Sequence, residues 1–350
     1  MSTEAIVTVQ TAASNEYVEG LTDKTILVTG ASGYLGTALL SSLYGICCRI
    51  VALARDTNRV LRPYETKASF QSRQVDLATT SIWLDLLRET RPDVIINLAA
   101  HEHRRNSPHS PTEDLAVNAA TVLELLEACV DLDLKPRIVL ASSANIAGCA
   151  GTITVNEDTP DQPLTLFAIH KLAAEQYLNY YANRFNLCGV ALRFANIYGP
   201  LPTHDTDLEA RVILNSIMRR ALAGGPLYLY RNHKCLRDFI YIDDAVRAIC
   251  AVAQAETIRP GAKYIVGSGE GHTLHEILTE ITHQVEKLCG QHVEIRSEEE
   301  ATLEPIEWRN FIADFSRLEA ATGWTPQTTL RQGIAKTLRS FSAPLGGQSD

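Results

Sequence analysis

Three glycines, Gly30, Gly33 and Gly36 in the stretch TGASGYLG, stand between a short apolar run, TILVTG at 25–30, and a helical pattern from Tyr34 to about Tyr44. A glycine is needed where a chain turns sharply, where backbone must approach a pyrophosphate, and where helix meets strand. The helix amino terminus then turns free N–H groups and a partial positive charge toward phosphate. Ser32, Tyr34 and Leu35 lie in the same turn and join the glycines as candidate binding residues. At the end of the second apolar run, VALARD, the place of an acidic residue that would take an adenosine ribose is held by Ala54. Ala54 is followed by Arg55, whose guanidinium suits a 2′-phosphate. These residues favour NADP, with NAD as second choice; the plain alternative for Arg55 is pairing with Asp56 or solvent.

A second polar concentration is HEHRR at 101–105, directly after NLAA at the carboxyl end of an apolar run. Its imidazoles titrate in a useful range, which makes His101 a candidate acid/base and Arg104 a candidate anion ligand. The H-x-H lacks a third ligand, so no metal is expected. In LTLFAIHKLAAE, Lys171 follows Phe167 by four residues, so both share one helix face. His170 points to a different face and is expected to be structural. Cys149 could lie at a cleft edge, but an inert buried thiol is expected.

The elements that position these groups follow from periodicity. RIVALAR at 49–55, DVIINLAA at 93–100, RIVLASS at 137–143 and CGVALRF at 188–194 are continuous apolar runs, separated by helical patterns. One such pattern is DLAVNAATVLELLEACVDL, and another starts near Pro163. Continuous apolar strands imply a parallel sheet covered on both faces, in an α/β doubly wound fold of the Rossmann type. After Gly199 the rhythm breaks into YGPLPTHDTD, helices near 208–222 and 243–255, a strand in GAKYIVGSG at 261–269, and helices near 273–288 and 328–341. We expect a flexible tail at 1–22 and a dinucleotide-binding domain at 23–198, with 236–262 returning to it. Residues 199–235 and 263–345 are expected to form a smaller substrate-binding lobe, followed by a tail at 346–350.

The 350 residues are 45% hydrophobic and 21% charged, typical of a soluble globular chain. The net charge of −9 disfavours nucleic-acid binding, which needs a basic face. No apolar run approaches the ~18 residues of a membrane span, and the first 22 residues lack an export signal's apolar core. Eight cysteines form no C-x-x-C pair, as expected of reduced thiols in a cytoplasmic protein.

With TGASGYLG, VDL at 75–77, NLAA at 97–100, SSANIAG at 142–148, FAIHKLAAE, LRFANIYGP at 192–200, RDFIYIDDAVRAI at 237–249 and GWTPQTTLRQGI at 323–334 in this order, the chain resembles the extended short-chain dehydrogenase/reductase family. The resemblance lies in its sugar-nucleotide epimerase/dehydratase branch and runs over roughly 24 to 342. It implies that Asp76 and Leu77 contact adenine, and that Leu98, Ala99 and Ala100 pass beneath ribose and pyrophosphate. It also implies that Asn118 supports the site, that Ser143 and Lys171 are catalytic, and that Lys171 holds the nicotinamide ribose. Asn196 and Arg237 match residues that bind a sugar nucleotide's diphosphate; Asn145 and Phe167 stand beside them as substrate-side candidates. The family also implies a homodimer through the helices near 114–132 and 164–185.

The chain departs from the family at its chemical centre. The family's tyrosine, which takes the sugar hydroxyl's proton, is replaced by Phe167. A placed acid/base contributes about 10²–10⁴-fold, so ordinary turnover needs a substitute, for which His101 is the candidate. Ala147 stands where a tyrosine is common. Ala144 and Asn145 follow Ser143 where dehydratases carry Asp-Glu, which disfavours 4,6-dehydration. Glu304 stands near a usual phosphate-binding arginine, with Arg309 able to take over. The leading expectation is an NADP-dependent enzyme acting on a nucleotide-activated or phosphorylated sugar. A silent dinucleotide-binding regulator and a non-redox enzyme are the alternatives.

Overall fold

A computed structural model describes residues 17–62, 66–79, 81–101, 110–149, 151, 153–203, 205–298 and 302–343. The sheet at its centre has seven strands: β1 (Thr25–Thr29), β2 (Arg49–Ala54), β3 (Ser69–Gln74), β4 (Val94–Asn97), β5 (Arg137–Ser143), β6 (Cys188–Phe194) and β7 (Lys263–Val266). They run parallel in the order β7-β6-β5-β4-β1-β2-β3. The order reverses between β1 and β4, and ligands of such sheets bind in the crevice this reversal leaves at the carboxyl ends. Thr29 pairs in register with both Leu53 and Asn97, so three strand ends meet there.

Alternate residues of each apolar run enter opposite layers. Ile26, Val28, Ile50, Ala52 and Ile96 pack with α1 (Tyr34–Leu43), whereas Leu27, Val51, Leu53 and Ile95 pack with α2 (Trp83–Thr90). Two buried faces leave no room for polar alternation, which is why these strands read as unbroken apolar runs. Edge strand β3, SFQSRQ, is only partly covered, and its polar sequence hid it from the periodicity.

The long pattern over 111–131 is not one regular helix. It comprises α3 (Pro111–Leu115), a π turn at Ala116–Ala120 and α4 (Thr121–Asp131). A π turn inserts a residue into the ladder and often marks a working site; here it carries Asn118. Helix α5 (Leu166–Phe185) starts later than Pro163, because Thr165 caps it by accepting from Ala168 N at 3.2 Å.

The helix expected near 208–222 is two, α6 (Thr206–Ala210) and α7 (Ile213–Leu222), broken where Val212 is extended. Then come α8 (Ile242–Gln254), α9 (Leu274–Cys289), α10 (Ser316–Thr322) and α11 (Leu330–Ser342). Helices α7, α9 and α11 pack together, within the stretch expected to form the smaller lobe.

Two expected boundaries move. Residues 263–266, assigned to that lobe, instead form the sheet's edge strand β7 against β6. Residues 17–22, assigned to a tail, include Val18 and Leu21 buried beside α8. Cys149, expected to be buried, is exposed, as are Cys47 and Cys289. No helix of the described residues is long and apolar enough to cross a membrane.

Candidate active site

The turn after β1 is shaped by what its glycines lack. Gly30 has φ +63°, and a Cβ there would meet Ala99 N at 2.8 Å. A Cβ on Gly36 would lie 2.2 Å from Gly30 O, so helix and turn could not approach. Gly33 caps α1 and bonds through its N–H to Gly30 O at 2.9 Å. The result is a backbone cradle with an open helix end, which fits a pyrophosphate. Below it, Thr29 Oγ1 donates to Asn97 Oδ1 at 2.5 Å and accepts from Ala99 N at 3.0 Å. This buried polar pair fixes the loop after β4 against the turn, and the motifs did not reveal it.

A groove of about 620 Å³ opens over these strand ends. Gly30, Ser32, Gly33, Tyr34, Leu35, Arg55, Asp76, Leu77, Leu98, Ala99, Ala100 and His101 all line it. Gly36 packs behind the wall. Asn118 lies beneath it, buried, with Nδ2 donating to His101 O at 2.6 Å and Asp114 Oδ1 at 2.5 Å. Arg59 and Arg211 also line the groove but escaped the motif reading, because they lie in a turn and in a segment far along the chain. Arg104 and the rest of 102–109 lie outside the described residues.

Ser143 ends β5, and its Oγ accepts from Asn145 N at 3.2 Å. Lys171 sits on the inner face of α5, 2% exposed, with Nζ donating to Ala141 O at 2.9 Å. Burial pushes this ammonium down to about 8, although Asp114 and Glu175 pull it the other way. Both carboxylates are engaged elsewhere: Asp114 with Asn118 and with His170 Nδ1 at 2.9 Å, Glu175 with Ser142 and Arg193. His170 is thus buried and paired, as its separate helical face suggests. The Phe167 ring is half-buried, its centroid 5.7 Å from Lys171 Nζ. Ser143, Phe167 and Lys171 lie outside the walls of the groove and of a second cavity.

That second cavity, of about 400 Å³, is lined by Asn145, Asn196, Arg220, Arg237, Glu307 and Arg309 among apolar, tyrosine and small polar side chains. Asn196 Nδ2 donates to Asp238 O at 2.9 Å. Arg237 donates to the carbonyls of Leu236, Glu307 and Arg309. Arg309 is buried, donates to Ala144 O at 3.3 Å and lies over the Phe311 ring. Among the described residues neither guanidinium has a carboxylate ion-pair partner. Burial and the neighbouring Arg237 hold Arg309 down at about 10. Three guanidiniums, Arg220, Arg237 and Arg309, share this wall with the carboxylate of Glu307, an excess of positive charge that suits an anion. Glu304 does not enter it; it closes a capping box with Glu307 over Pro305–Trp308.

A family model described as the NAD dependent epimerase/dehydratase family matches residues 26–267. The UDP-glucose 4-epimerase of Mycolicibacterium smegmatis is 29% identical over 324 residues, 90% of this chain and 97% of that protein. The dTDP-glucose 4,6-dehydratase of Xanthomonas campestris is 26% identical over 337 residues, 90% of this chain and 92% of that protein. Among solved structures, MoeE5 in complex with UDP-glucuronic acid and NAD superposes with a TM-score of 0.75 at 28% identity, covering 90% of this chain and 98% of that one. The Thermus thermophilus UDP-glucose 4-epimerase complex with NAD gives 0.72 at 28% identity, covering 92% and 100%. With the glycine cradle and the strand-end groove, this match over most of the sheet places the chain in the NAD dependent epimerase/dehydratase family, within the extended short-chain dehydrogenases/reductases.

Proposed function

We propose that this protein is a nicotinamide-dinucleotide-dependent enzyme acting on a nucleotide-activated sugar at a secondary alcohol, by epimerisation or simple oxidation and reduction. The observation that carries the substrate class is the Arg237–Arg309 pair, two guanidiniums on a cavity beside Asn145 and Asn196, where with Arg220 they outnumber the one described carboxylate, Glu307. A diphosphate balances the excess positive charge. For the cofactor, the glycine cradle and the groove residues fit a dinucleotide; Ala54 and Arg55 at the end of β2 favour NADP, although the related structures carry NAD.

When bound, the dinucleotide supplies a hydride acceptor and donor. The chain's own groups do the rest in this proposal. Ser143 hydrogen-bonds the reacting oxygen, Lys171 holds the nicotinamide ribose, and His101, on the groove wall, takes the hydroxyl proton in place of a phenol. Ala144 and Asn145 after Ser143 give no acid/base pair for eliminating water, so dehydration is not part of the proposal. Phe167 is the observation that favours a second reading, a silent dinucleotide-binding regulator. The larger fold is proposed to divide as a dinucleotide-binding domain and a substrate lobe. Leu115, Leu166, Ile169 and Tyr180 are exposed on α3 and α5 and support a homodimer through these helices.

The test is to denature freshly purified protein and identify released small molecules by mass spectrometry, then titrate the protein with NADP⁺, NAD⁺ and UDP-sugars. Released dinucleotide or sugar nucleotide, or binding on titration, sustains the enzyme reading. Neither release nor binding sinks it.

A further inference from the structure

The cofactor groove has two lips, and an ion pair joins them. Arg59 ends the short turn Thr57–Arg59 after β2 and lines the groove with Ala54 and Arg55. Its Nη2 lies 2.9 Å from Oδ2 of Asp205, 146 residues further along the chain. Asp205 caps α6 by accepting from Leu208 N at 3.0 Å, and Leu208, Arg211 and Val212 form the facing wall.

The lip that carries Asp205 is held by other bonds. Asn215, fully buried, accepts from Gly199 N at 3.0 Å and donates to Gly199 O at 2.7 Å, which ties the segment's two ends together. Tyr34, at the start of α1, donates to Gly199 O at 2.5 Å. Buried Glu209 accepts from Leu201 N at 2.6 Å and pairs with Arg219. The position of Asp205 therefore does not depend on Arg59. The pair itself is part exposed, at 37% and 25% for the two side chains, so screening leaves it little weight in stability.

Three guanidiniums gather at this end of the groove. Arg55, Arg59 and Arg211 share the wall with two carboxylates, Asp56 and Asp76. Each of these accepts a backbone N–H, from Asn58 at 2.9 Å and from Ala78 at 3.0 Å. The end of the second strand is where the adenosine ribose lies in such sheets. A 2′-phosphate there meets a guanidinium that already holds an anion; a planar carboxylate and a tetrahedral phosphate both offer oxygens that suit the planar fork.

We propose that Arg59 is the clamp for the 2′-phosphate of the dinucleotide, and that Asp205 is its built-in competitor from the opposite lip. Binding of a 2′-phosphorylated dinucleotide exchanges one anion for the other on Arg59, whereas NAD⁺ leaves the pair in place. Occupation of Arg59 by Asp205 lowers the apparent affinity for the phosphorylated cofactor by the fraction of time it is held. The assignment rests on the dinucleotide reading above and adds to it the residues that choose between the two cofactors.

The experiment is calorimetric titration of wild type, Arg59→Gln and Asp205→Asn with NADP⁺, NAD⁺ and adenosine 2′,5′-bisphosphate, with thermal melts to confirm folding. Arg59→Gln is expected to weaken NADP⁺ and the bisphosphate by about tenfold or more, as for a lost charge-assisted contact, and to leave NAD⁺ alone. Asp205→Asn is expected to tighten both phosphorylated ligands by roughly two- to fivefold, the range of an exposed ion pair, again without effect on NAD⁺. A purely structural pair cannot move the two variants in opposite directions. Equal losses of NAD⁺ and NADP⁺, weaker NADP⁺ binding in Asp205→Asn, or an unaffected Arg59→Gln overturns the assignment alone. Wild-type protein that binds NAD⁺ but neither phosphorylated ligand also overturns it. Wild-type protein that binds no dinucleotide at all overturns the cofactor reading and the assignment together.

Discussion

Lys171 Nζ lies 5.7 Å from the centroid of the Phe167 ring, one helical turn earlier on α5, and gives a hydrogen bond to Ala141 O. The ammonium is buried against an aromatic face, at a place where the resemblance drawn from the motifs implies a phenol oxygen. Its partners are a carbonyl and the ring, and the nearby carboxylates are spent on His170, Asn118, Ser142 and Arg193. The arrangement sets a buried lysine beside a ring that carries no ionisable oxygen.

Restoring that oxygen tests what Phe167 does. Phe167→Tyr is expected to raise the rate of dinucleotide reduction or epimerisation with a bound UDP-sugar by about 10²–10⁴-fold, the usual contribution of a placed acid/base. No gain in a folded variant that binds both ligands would remove Phe167 as the limit on turnover.

The buried lysine makes stability depend on pH with a definite sign. Its folded value of about 8 lies below the 10.5 of the free side chain, so between those values the unfolded chain holds the extra proton. Stability therefore rises with pH across that window, and the penalty is fully present below pH 8. Lys171→Met is expected to be more stable than wild type at pH 7, by an amount on the order of 3 kcal/mol at most. The advantage shrinks toward pH 10.5. Paired denaturant melts at pH 7 and pH 10 check it; a constant difference at both pH values contradicts the burial account.

Arg309 should separate stability from binding. It is a buried cation with a second cation beside it, and apolar replacement of such groups is commonly neutral or stabilising by about 1–4 kcal/mol. Arg309→Met is expected to raise Tm while weakening UDP-sugar binding about tenfold to a hundredfold. Arg237→Met, whose guanidinium bonds three carbonyls, should weaken binding similarly but lower Tm. Calorimetry and thermal melts on the two variants decide; unchanged sugar-nucleotide affinity in both would dismiss the anion site.

Gly36→Ala probes the cradle. The added carbon falls 2.2 Å from Gly30 O and 2.9 Å from Ala31 Cα, both backbone, so turn and helix must separate. An overpacking penalty of about 1–3 kcal/mol is expected, together with loss of dinucleotide binding in titration. Retained affinity at wild-type Tm would show that the turn is not set by this contact.

Much of this protein follows from local sequence, because the interactions responsible are local. Continuous apolar runs such as ILV at 26–28 must bury both faces, and that alone implies a parallel sheet with helices on each side. Gly30, Gly33 and Gly36 announce a tight strand-to-helix turn within eight residues, and the four-residue spacing of Phe167 and Lys171 puts both on one side of α5. Other features had no local signal. Strand β3 lies at an edge and needs little apolar character, so SFQSRQ carries no strand periodicity. The π turn around Asn118 depends on Asp114, His170 and the His101 carbonyl meeting from three elements. Residues 263–266 read as part of the smaller lobe until their pairing with β6 fixed them at the sheet edge. Arg237 with Arg309, and Arg59 with Asp205, are encounters between residues far apart in the chain. Periodicity reports only what a residue's own turn or strand requires. Which charges face each other across a cleft is decided when the sheet order and the lobe bring distant segments together.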